Sequence, residues 1–173
     1  MTVQIAYKNK VSINNAYNLV LFIDEKMNIS SLKKHISVSE YAFISDLIKT
    51  KDIKKKIIYF DISSKKKIIL VYIKKNHSNS NAEKLGASFY DQFKDHKVSS
   101  FIINSETLSS KEKNIIAYFV HGLKLKSYAF EKYKTKKKRN SISITISGKN
   151  QPSVKDQVKF KAIESDTFYT RDL

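Results

Sequence analysis

Ser109-Ser110-Lys111-Glu112-Lys113-Asn114-Ile115-Ile116-Ala117-Tyr118-Phe119-Val120-His121-Gly122-Leu123 decides how this chain folds. Ser109 followed three residues later by Glu112 is a helix-start pattern. The hydroxyl accepts from an orphan N–H of the first turn, and the carboxylate returns the bond. Behind it, Ile115, Ile116, Phe119, Val120 and Leu123 recur at helical spacing, an apolar stripe that requires a sheet beneath it. Strand-like segments flank this helix on both sides. Val98–Ile103 precedes it, and Ser141–Ile146 follows with Ile142, Ile144 and Ile146 on one face. Strict alternation of that kind predicts a half-exposed or edge strand.

The same punctuation recurs outward along the chain. Ser37–Glu40, Ser80–Glu83 and Ser153–Asp156 repeat the serine-to-acid spacing, each ahead of a helix-period segment. The second of these helices carries Leu85, Phe89 and Phe93, and the last carries Val154, Val158 and Ala162 behind Pro152. Thr2–Tyr7 alternates, whereas Tyr17–Ile23 is nearly continuous and reads as a strand buried on both faces. Ile57–Ile62 and Lys67–Ile73 are separated by Ser63-Ser64-Lys65-Lys66, which suits a hairpin or short link. Asn76–Asn81 reads as a polar loop and Gly148–Pro152 as a turn. The order β-β-α-β-β-α-β-α-β-α predicts an α/β three-layer domain, a mixed sheet of about six strands with helices on both faces. The last helix runs into Thr170-Arg171-Asp172-Leu173 without a cap, as expected of a chain cut from something longer.

Composition narrows the chemistry. The 173 residues hold 33 Lys+Arg against 16 Asp+Glu, a formal charge of +17, with 41% hydrophobic residues. A chain of this size buries roughly 70% of its unfolded surface in one domain. The absence of cysteine excludes disulfides, thiolate nucleophiles and Cys-ligated zinc, and it points to a reducing, cytoplasmic setting. No apolar run approaches a membrane span, and Met1-Thr2-Val3-Gln4-Ile5 does not read as a secretory leader. Three glycines and one proline leave little room for phosphate-cradling loops.

The positive surplus invites an anionic partner, nucleic acid included. Only Arg139 and Arg171 are arginines, however, and lysine lacks the planar fork that grips phosphate and guanine in pairs. The densest feature is Lys132, Lys134, Lys136, Lys137, Lys138 and Arg139, with Tyr128, Phe130 and Tyr133 interleaved. Two readings stay open. The aromatics stack bases while the lysines take phosphates, or they pack inward at a helix end while the lysines stay wet, the preferred reading.

No catalytic constellation is present. His35, His77, His96 and His121 lack the spacing of a helical metal pair, and His121 reads as structural or solvent-facing. Asp24-Glu25 and Asp61 close strands where α/β folds place ligands, but neither has a partner acid or glycine loop. No catalytic and no metal-binding residue is therefore assigned in this chain.

A resemblance sharpens the reading. Gly122-Leu123-Lys124-Leu125-Lys126-Ser127-Tyr128-Ala129-Phe130-Glu131-Lys132-Tyr133-Lys134-Thr135-Lys136-Lys137 is similar to a helix-end signature of the leucyl (cytosol) aminopeptidase family. Glu131 stands where that family usually has Asp. Ala82-Glu83-Lys84-Leu85-Gly86 resembles the preceding helix, and Phe168-Tyr169-Thr170-Arg171-Asp172-Leu173 resembles the helix joining the family's two domains. The likeness covers residues 82–173, while residues 1–80 agree only in element order. It implies a macro-domain-like N-terminal domain over residues 1–152, then a linker helix over 153–173. Ahead would lie a catalytic domain holding two divalent metals, zinc or manganese, in a hexamer that removes N-terminal residues from peptides. This chain alone would hold no cofactor and would not be an enzyme. Its expected partners are that catalytic domain and the other subunits. DNA is a further candidate, because some bacterial members of the family bind it. The family usually carries glycines after the strand corresponding to Ile68–Ile73. Lys74-Lys75-Asn76-His77 stands there instead, which weighs against a stand-alone macro-like module that binds ADP-ribose.

Overall fold

A computed structural model describes residues 3–11, 18–24, 26–50, 55–96, 99–128 and 141–172. Six strands, β1 (Val3–Lys8), β2 (Asn18–Asp24), β3 (Ile57–Asp61), β4 (Lys67–Ile73), β5 (Ser100–Asn104) and β6 (Ile142–Ser147), form one sheet in the order β1-β6-β5-β2-β4-β3. Only β3 runs antiparallel to its neighbour, so the sheet is mixed. The helices are α1 (Val38–Thr50), α2 (Asn79–Phe93), α3 (Lys113–Lys126) and α4 (Val154–Asp172). Element order and the three-layer α/β class match the sequence reading.

Odd and even residues of the strands build two cores. Val20, Phe22, Val71, Phe101, Ile103 and Ile144 face α2 and α3, where Phe89, Phe93 and Phe119 complete an aromatic cluster. Leu19, Leu21, Ile68, Leu70 and Ile102 face the other way, against Leu32 and Ile44 of the α1 side. Thus β2 and β4 are covered on both sides, which is why their sequences are apolar almost throughout. The second layer stops short of β1 and β6, where Gln4, Ala6 and Lys8 are exposed and Ser143, Thr145 and Ser147 are half-buried.

Three local expectations are corrected. Of the two readings of β6, half-exposed holds and edge does not: it lies between β1 and β5, and its alternation arises because one face of the sheet is uncovered there. Ser80 does not open α2. Ser78 does, its side chain accepting from Asn81 N at 3.2 Å, so part of the expected polar loop is helix. On α4, Val154 and Val158 point to solvent while Phe160 and Glu164 are buried, because α3 offers that face aromatic and charged partners. The other starts hold. Ser37 and Glu40 exchange bonds, as do Ser153 and Asp156, and Ser109 with Glu112 closes a short 3-10 turn ahead of α3.

Candidate functional site: the helical seams

Two glycines bring α2 and α3 together. A Cβ on Gly86 would overlap the carbonyl of Phe119, and one on Gly122 would overlap the backbone of Glu83. Reciprocal glycines of this kind let two backbones touch, and they leave Ala82, Leu85, Phe89, Ile116, Phe119 and Leu123 to fill the space over the sheet. The segments 82–86 and 122–128, singled out separately in the sequence, are therefore one structural feature.

The end of α3 then meets the end of α4. Ser127 is buried and closes α3, its hydroxyl donating to the Lys124 carbonyl at 2.6 Å. Tyr128 donates from its hydroxyl to Asp172 Oδ1 at 2.6 Å. The Arg171 guanidinium lies 5.2 Å from the Tyr128 ring centre, and the Phe168 ring is equally close. Desolvation and then the Asp172 carboxylate push the Tyr128 hydroxyl up to about 12. Gly122, Ser127, Tyr128, Arg171 and Asp172 are thus gathered along one side of the molecule. Phe130, Tyr133, Lys134, Thr135 and Leu173 lie outside the described residues, as do Lys132, Lys136, Lys137, Lys138 and Arg139 of the basic patch.

Between these points α4 is held by a buried polar triad. His121 Nδ1 is 3.0 Å from Glu164 Oε1, and Lys124 Nζ is 2.7 Å from Glu164 Oε2. Both His121 and Glu164 are about 95% buried. Phe160 stacks on His121 with ring centres 4.5 Å apart and meets Tyr118 edge-on at 5.0 Å. Glu164 also acts beyond the triad: burial first, and its charge second, raise the Tyr7 hydroxyl above its usual value. Of the structural and solvent-facing readings of His121 the structural one holds, and sequence reasoning missed Glu164. The available signal was Phe160 and Glu164 one helical turn apart, opposite the valines.

The shape of the chain has known counterparts. It aligns with a mutant of tomato leucine aminopeptidase at a TM-score of 0.68 and 16% identity, covering 94% of this chain and 36% of that one. It also aligns with the bottromycin maturation enzyme BotP in complex with Mn, at 0.59 and 10%, covering 92% of this chain and 32% of that one. The likeness is one of fold, in the mixed six-stranded sheet and its helices. This chain spans about a third of either protein. No family model matches the sequence, and no curated protein matches it.

Within this aminopeptidase-like fold the strand-end crevice lies where the chain path reverses about β2, between β5 and β4. It encloses about 360 Å³ beside Asp24, Lys26, Lys74, Lys75, Thr107 and Glu112. Asp24 is occupied locally, its Oδ1 accepting from the N–H groups of Lys26 and Asn28. Thr107 likewise serves the backbone, accepting from Phe22 N. Asp61 pairs with Lys67 across the hairpin. Among the described residues no group of three or more His, Asp or Glu side chains is placed to hold a metal ion. Nor is any helix long and apolar enough to cross a membrane.

Proposed function

We propose that this chain is the non-catalytic N-terminal domain of a leucyl-aminopeptidase-type peptidase. In that role it supports assembly and access to a catalytic domain that lies elsewhere in a longer protein. The observation that carries the reading is the convergence of three separated segments. Residues 82–86 and 122–128 meet at the glycine crossing, and Tyr128 then closes on Arg171 and Asp172.

Residues 153–173 act as the connecting helix, its angle fixed by Glu164 against α3. Two divalent metals, zinc or manganese, and the peptide chemistry belong to the catalytic domain, and a hexamer is the assembly that this domain serves. The exposed Val154, Val158 and Tyr169 on α4 supply apolar surface for the rest of such a protein. The test is direct. The purified 173-residue chain should not hydrolyse leucine p-nitroanilide with zinc or manganese added, and turnover would refute the proposal. The reading frame beyond Leu173 should continue into an Asn-x-Pro-x-Asn segment, which in the family it resembles follows the Thr-Arg-Asp-Leu run directly; a stop codon there would also refute it.

A further inference from the structure

A smaller cavity of about 180 Å³ shares Lys74 with the strand-end crevice and differs from it in charge. Its lining includes Lys56, Lys74, Lys84 and His77, and among the described residues that line it there is no carboxylate. The crevice sets Asp24 and Glu112 against its lysines, and the cavity beside the α3–α4 seam sets Glu164 against Lys124 and Lys161. Among the described residues none of Lys56, Lys74 and Lys84 has an ion-pair partner.

The backbone adds to this bias. His77 directly precedes Ser78, the residue that caps α2, and the first turn of α2 carries no acid to neutralise the positive helix end. A second observation is independent of charge. His77 Nε2 is shut off from solvent and has no hydrogen-bond partner. A ring nitrogen shut off from water and left unbonded is destabilising. An oxygen acceptor entering beside it, met by a small turn of the ring, removes that cost.

We propose that this cavity binds a phosphate dianion, inorganic or as the terminal group of a phosphomonoester. Lys56, Lys74 and Lys84 hold it at the amino end of α2, and His77 is the neighbouring donor. Three ammonium groups without a carboxylate suit a dianion better than a carboxylate ligand, and lysine binds phosphate as a point charge. The cavity takes a single compact group. It lacks the extended groove and row of aromatic faces with which proteins follow a nucleic-acid strand.

The His77 imidazole is held below its usual value, by burial first and by Lys56 in addition, against a backbone hydrogen bond with Asn81. A bound dianion opposes Lys56, Lys74 and Lys84 and moves the His77 titration upward. The experiment is an NMR titration of the 173-residue chain with inorganic phosphate, pyrophosphate and glycerol 3-phosphate. An oligothymidylate lacking terminal phosphates provides the comparison. Saturable shifts confined to residues 55–57 and 72–88, with a raised His77 titration, are the expected result. The tighter of the free and esterified ligands names the source. Lys56→Ala and Lys84→Ala should each weaken binding by about tenfold, while Lys155→Ala on α4 leaves it unchanged. Absence of saturable shifts, equal weakening by Lys155→Ala, or tighter binding of the oligothymidylate overturns the proposal.

Discussion

α3 is gripped on two sides by opposite means. Toward α2 it presents Gly122 and an apolar face, and the backbones touch at the glycine crossing. An ion pair across this seam, Lys126 to Asp91 at 3.1 Å, lies exposed beyond it. Toward α4 it presents His121, Lys124 and Tyr118, and the contact rests on Glu164 and Phe160. The first seam is a steric fit continuous with the core. The second is a directional polar joint that fixes the placement of a largely exposed helix. A steric seam fails with the whole fold, whereas a polar joint can release one element and leave the rest standing.

The largest effect is expected at the glycine crossing. Gly122→Ala forces a methyl into the Glu83 backbone, which cannot rotate aside, and should cost about 3 kcal/mol or more. Thermal unfolding should show one cooperative transition lowered by roughly 10 °C. A change under a degree would mean that the helices sit further apart than described here.

Glu164→Ala should cost less, about 1–3 kcal/mol, because Lys124 reaches solvent once its partner is gone. Amide exchange should accelerate across residues 154–172 but not across 82–93. Uniform acceleration of both would erase the distinction between the seams.

The smallest effect belongs to the far end of α4. Tyr128→Phe removes the bond to Asp172 and should fray only the last turn, seen as faster exchange near Phe168. The raised Tyr128 value gives this contact a sign with pH. Its stabilisation is complete below the ordinary tyrosine range near 10 and is lost as pH rises through about 12. The Tyr128 end of α4 therefore loosens in strongly alkaline solution, while the glycine crossing itself, a contact of backbone on backbone, does not. An alkaline titration followed by exchange at α4 and α2 checks this.

Much of the layered fold was legible because it depends on short-range rules. Apolar β2 and the stripe Ile115, Ile116, Phe119, Val120 and Leu123 could be buried in few other ways. The misread elements show where such rules stop. The alternation of β6 reports which face of the sheet is covered, whereas an edge is a matter of in-plane hydrogen bonding, so one cannot be inferred from the other. Ser78 caps α2 with Asn81 at the third helical position, where the serine-to-acid rule looks for a carboxylate, so the rule settled on Ser80. Glu164 was missed because a buried charge is recognisable only beside its partners, and His121 lies on another helix. The lysine patch Lys132–Arg139 falls outside the described residues, so its two readings stand as they did.

The pairing of Val3 with Ile142 joins a strand to one made about 140 residues later in synthesis. At ~5–20 residues per second, β1 leaves the ribosome on the order of ten seconds before its template exists. Through that interval its backbone donors and acceptors stay open to chaperones and to other nascent chains. Ribosome-held chains truncated before Ser141 should therefore be clipped by protease near β1, while α2 and the strands beneath it already resist.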